Sequence, residues 1–258
     1  MSKKVLINCR GRYIGDNLSA YLSTQKVGAT ASESEEPETP AETTDEATQP
    51  KQFFEVNSLG LEYSRDEILQ QSLNSDVIIW NICDFTESSG NVHDVSDGSW
   101  LIEQLAKLSD NFQKSKQFIL VSTVATWGRT KPKDIDDPGL AFDDIDFRSR
   151  RAHLNFKEHL ALEKAVVKAG KGNKSKLSSY VVCSAVQYGA GESVFHYMFK
   201  QPWLNVDKEV CVYGNGKNMI PTIHITDLSQ IVCNIIDHKP TQKYRKADAT
   251  QNQYHSLF

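Results

Sequence analysis

Short apolar runs alternate with helical repeats along most of the chain. Runs at Val5–Asn8, Phe53–Asn57, Val77–Ile82, Phe118–Ser122 and Tyr180–Cys183 are mostly apolar and rich in β-branched or aromatic residues, as expected of strands covered on both faces. Val210–Tyr213 offers one more short strand. Between them, apolar residues return every three or four positions over Gly15–Lys26, Arg65–Leu73, Trp100–Phe112 and Asn155–Ala169, which predicts helices, with Ser64 placed to cap the second. The succession spells an α/β fold: a doubly wound parallel sheet of about six or seven strands with helices on both faces. The first strand is expected at its centre, with the Gly11–Gly15 turn at its carboxyl end. Past Ala190 the pattern loosens, and Ser256 looks like the start of another helix two residues before the last one, so a longer parent chain is expected.

Composition changes this picture at one place. Residues 29–50 contain seven acidic residues, no Lys or Arg and no large apolar residue, so they cannot bury enough surface to offset their ordering entropy. They read as a disordered acidic insert within a single domain spanning residues 1–258. The net charge of −4 turns to +3 once those seven acids are set aside. The basic residues are dispersed rather than gathered with aromatics, which argues against a nucleic-acid partner. No apolar run approaches the length of a membrane span, and no secretory signal opens the chain, so the expected setting is cytoplasmic and reducing. Five scattered cysteines without a Cys-x-x-Cys pair suggest neither disulfides nor zinc and read as packing residues. The polar stretch Lys131–Arg151, with six Asp against three Arg near its end, lacks the spacing of a cation loop and reads as a solvated loop.

The candidate chemistry lies in motifs that are partly erased. After the first strand comes Asn8-Cys9-Arg10-Gly11-Arg12-Tyr13-Ile14-Gly15. After the third come Trp80-Asn81-Ile82-Cys83, and after the fourth Ser122-Thr123-Val124-Ala125-Thr126-Trp127-Gly128. Gln187-Tyr188-Gly189 and the run Val212-Tyr213-Gly214-Asn215-Gly216 through His224-Ile225-Thr226-Asp227-Leu228 complete the set. Together these resemble the extended short-chain dehydrogenase/epimerase family, whose glycine loop, T-G-x-x-G-x-x-G, holds a dinucleotide pyrophosphate. On that resemblance Gly11, Arg12 and Gly15 stand at the vestigial cofactor loop, where Cys9 and Arg12 replace two glycines and only Gly15 is kept. Ile82 takes the place of a small residue under the cofactor, or simply packs the core. Thr123 falls at the substrate-orienting hydroxyl. With Glu163 as the helix glutamate, Asn155 falls at the family's tyrosine and His159 at its lysine, and Ile220 replaces the arginine that grips a sugar-nucleotide phosphate. The resemblance therefore implies vestigial catalytic positions at Thr123, Asn155 and His159, with His224, Asp227 and Leu228 kept for structure, Asp227 or Thr226 near a helix start and Leu228 facing the core.

A closer likeness, carried by the acidic insert, by Ser75–Ile82, by Phe118–Trp127 and by Ile220–His224, is to the N-terminal epimerase-like domain of a family of adenylate kinases associated with motile cilia. It implies a non-catalytic scaffold in a cilium or flagellum axoneme, with other axonemal proteins as partners and no metal, no resident cofactor and no membrane. The kinase domain that follows in that family is absent from this chain: Gly170-Lys171-Gly172-Asn173-Lys174-Ser175 has the wrong glycine spacing for a phosphate loop and follows a helix. Two alternatives stay open at this point. One is a divergent NAD(P)-dependent epimerase or reductase using Thr123 with His159. The other is a sensor that binds NAD(P) or another nucleotide weakly, with Arg12 pairing a phosphate. The stretch Phe195–Leu204 is dense in aromatic residues and either closes over an empty pocket or forms an interface.

Overall fold

The computed structural model describes residues 2–8, 13–25, 54–60, 63–83, 90–137, 140, 142–172, 176–191, 194–205, 215–216 and 220–247. The Gly11 and Arg12 positions, the insert 29–50, the strand expected at Val210–Tyr213 and the helix start expected at Ser256 lie outside the described residues.

Six parallel strands form the main sheet: β1 (Lys3–Asn8), β2 (Phe54–Leu59), β3 (Val77–Asn81), β4 (Lys116–Thr123), β5 (Leu177–Ser184) and β8 (Tyr244–Ala247), in the order β2-β1-β3-β4-β5-β8. A second, two-stranded parallel sheet joins β6 (Val186–Tyr188) to β7 (Thr222–His224). The helices are α1 (Tyr13–Thr24), α2 (Arg65–Leu73), α3 (Gly90–Leu108), α4 (Lys157–Gly172), α5 (His196–Leu204) and α6 (Ile225–His238). The parallel, two-faced architecture is as expected. The place of β1 is not: among the described residues only β2 lies beyond it, so β1 is second in the order and not central.

Strand alternation builds two cores. Val5 and Ile7, Val77 and Ile79, Ile119 and Val121, and Tyr180 and Val182 face α1 and α6, meeting Ile14, Leu18, Leu22, Leu228, Val232 and Ile236. Leu6, Ile78 and Trp80, Phe118 and Leu120, and Val181 and Cys183 face the other way, onto Ile68, Leu101, Leu105, Leu162 and Val166 of α2, α3 and α4. Reversal of direction after β2 is what puts helices on both sides, because parallel crossovers keep one hand.

Local signals fix the ends. Ser64 caps α2 reciprocally with Glu67, as its Ser-x-x-Glu spacing predicts. At the opposite end, lysines bind helix carboxyl termini: Lys116 Nζ reaches the carbonyls of Leu73 and Ser75 (2.6 Å each), and Lys3 Nζ reaches that of Ile236 (3.1 Å). Gly98 makes room for the Trp80 indole, whose Nε1–H donates to the Asp94 carbonyl at 2.8 Å; a Cβ on Gly98 would lie 2.6 Å from Trp80 Nε1. Cys83, Cys183 and Cys233 are buried thiols outside any disulfide, the packing role expected of them. None of the helices among the described residues is long and apolar enough to cross a membrane.

Candidate functional site

In a doubly wound sheet a ligand has its place where the chain reverses, at the carboxyl ends of β1 and β3. Here that crevice is crossed by protein amides. Asn8, the last residue of β1, donates from Nδ2 to the Asn81 carbonyl at 2.8 Å and accepts the Asn81 N–H on its Oδ1. Asn81 Oδ1 in turn accepts the Cys83 N–H at 3.0 Å. Beneath, Gln187 Nε2 lies 2.7 Å from Ser184 Oγ and from the Ala185 carbonyl. All these groups are buried, and these bonds give their polar atoms partners within the protein. Gly15 is buried in the first turn of α1, beside Tyr13, whose hydroxyl donates to the Gly189 carbonyl.

The structure places the three vestigial catalytic positions in separate roles. Thr123 ends β4, and its hydroxyl accepts the Ala125 N–H at 3.2 Å, capping the 3₁₀ turn Val124–Trp127. Asn155 is exposed in the 3₁₀ turn Leu154–Phe156 that leads into α4. His159 is buried, 5.0 Å from the Phe156 ring, and its imidazole donates to the Ile82 backbone carbonyl. Its Nδ1 meets no hydrogen-bond partner among the described residues. Burial lowers its pKa from the ordinary 6.5, against the attraction of Glu158 and the bond to Ile82. Ile82 packs with Trp80 into the core under α3 and α4 and continues the sheet through its N–H to the Val121 carbonyl. Its bulk is thus core packing.

One buried polar cluster was not anticipated. Glu163 is wholly buried on α4, and Arg150, placed by its sequence in a solvated loop, is buried against it: Arg150 Nε donates to Oε2 at 2.9 Å. Arg150 Nη2 is 2.7 Å from the same oxygen, without the alignment of a second hydrogen bond. The other Glu163 oxygen accepts the Ser122 hydroxyl at 2.7 Å. The guanidinium stands 4.5 Å from the Tyr244 ring and 5.5 Å from that of Phe147, and those two rings stack on each other 5.2 Å apart. Tyr244 Oη accepts the Trp127 indole N–H at 2.7 Å. Burial pushes the Glu163 carboxyl up, while Arg150 and the Ser122 and Thr126 hydroxyls pull it down. Burial likewise takes the neighbouring Cys183 thiol up to about 12, far from thiolate chemistry. The rest of the stretch behaves more nearly as expected, Lys133 holding Asp143 and Asp146 at the surface. An Arg among Asp residues gave no sign of burial; a lone Glu between Leu162 and Val166 on an apolar helix face was the available signal.

His224 is structural, as expected: its Nδ1 accepts the Thr226 N–H and caps α6. Gly189 takes φ +87° above it, and a Cβ there would collide with the imidazole. Among the described residues no group of three or more metal-binding side chains converges.

The sheet order, the two-faced helical cover and the β6–β7 pair define an epimerase-like Rossmann domain. Three solved structures share the fold: the human epimerase family protein SDR39U1 with NADPH (TM-score 0.60, 18% identity, 95% of this chain and 74% of that one), UDP-N-acetylglucosamine 4-epimerase from Bacillus cereus (0.62, 12%, 96% and 76%) and dTDP-glucose 4,6-dehydratase from Bacillus anthracis with NAD (0.59, 14%, 96% and 76%). No protein-family model matches the chain. Among curated proteins it is 42% identical over 172 residues to adenylate kinase 7 of Mus musculus, and 43% identical over 82 residues to adenylate kinase 7 of Macaca fascicularis. These matches cover 67% and 32% of this chain but 27% and 15% of those proteins. The chain is homologous to a segment of adenylate kinase 7, and it folds as an epimerase-like domain.

Proposed function

We propose that the domain is a non-catalytic epimerase-like scaffold, an interaction module of a ciliary axonemal complex carried within a longer adenylate kinase 7-like chain, with other axonemal proteins as its partners. The observation that carries the reading is what now stands at the catalytic positions. Reduction or epimerisation on this fold needs a titratable group held beside the substrate hydroxyl and worth on the order of 10²–10⁴ in rate. Asn155 has no such proton, the Thr123 hydroxyl is not a titratable group, and His159 is turned to the Ile82 carbonyl. The Asn8–Asn81 amide bridge supports the same reading, since it occupies the polar groups at the point where a dinucleotide enters such a sheet. On this reading the domain needs no cofactor. Any kinase activity belongs to other parts of the longer chain.

The experiment is a titration of the purified domain with NADH and NADPH by fluorescence and calorimetry, followed by assay with sugar nucleotides. We expect no saturation into the millimolar range and no turnover. Micromolar binding without turnover would convert the scaffold into a nucleotide sensor, and turnover would restore the reductase reading.

A further inference from the structure

We draw no further inference here: the strongest candidate, the groove between the outer faces of α3 and α4 lined by Ile102, Ala106, Ala165 and Ala169 and flanked by Lys107 and Lys168, carries nothing because nothing in the structure shows what covers it.

Discussion

Replacing Glu163 by Gln tests the buried polar cluster most directly. The amide keeps the shape and can still take the Ser122 hydroxyl, but it leaves the Arg150 guanidinium inside the protein without a counter-ion. Removing one partner of a buried pair costs about 3–5 kcal/mol. The rings of Tyr244 and Phe147 stay beside the cation and retain part of its attraction, worth up to about 2 kcal/mol when desolvated, so the lower end, about 3 kcal/mol, is expected. At about 2–4 °C per kcal/mol for a domain of this size, the melting temperature should drop by roughly 6–12 °C. Urea unfolding at neutral pH, followed by the far-ultraviolet signal, measures the same loss as a shifted midpoint at constant slope. The double variant Arg150→Met with Glu163→Leu removes both charges, and it should be more stable than Glu163→Gln alone. A loss under about 1 kcal/mol for Glu163→Gln, together with additive losses in the double variant, would refute the idea that these residues act as one buried unit.

Two further outcomes follow from single contacts. Because burial lowers the His159 pKa below 6.5, the unfolded chain binds that proton more readily than the folded one. Stability should therefore be full above pH 6.5 and fall as the pH drops from there through the folded value, by up to about 1.4 kcal/mol per pH unit for this one proton; His159→Gln should flatten that part of the profile, and an unchanged slope would mean that the imidazole is not held neutral. Gly98→Ala drives a methyl group into the Trp80 indole and should cost about 1–3 kcal/mol in urea unfolding, while a neutral effect would show that the indole can move aside.

The central strands were legible because each of them serves both cores, so β1, β3, β4 and β5 are apolar on both faces and announce themselves. Ser64 was legible because a capping box is local. The edge strand β8 was not: Tyr244 is the core residue of a strand that otherwise reads Arg-Lys-Ala, and its partner β5 lies some sixty residues earlier. The position of β1 was misjudged because sequence gives the order of strands but not the side on which each is added. Thr123 and His159 were assigned to the right elements, yet the atoms they touch, the Ala125 N–H and the Ile82 carbonyl, are backbone groups that no motif specifies. Arg150 was misplaced for the same reason. Its burial depends on Glu163 thirteen residues on and on Tyr244 nearly a hundred residues on, and neither is visible from its neighbours.

That last dependence sets the order in which the domain can become complete. During synthesis Arg150, Glu163 and Trp127 all emerge before Tyr244, so for the time needed to add some eighty residues the guanidinium has one open face and the Trp127 indole N–H has no Tyr244 oxygen to meet. Parallel strands that pair across such separations form late. The nascent β4–β5 edge must wait with its polar interior half covered, and β8 acts as the closing stave that seals the cluster from water.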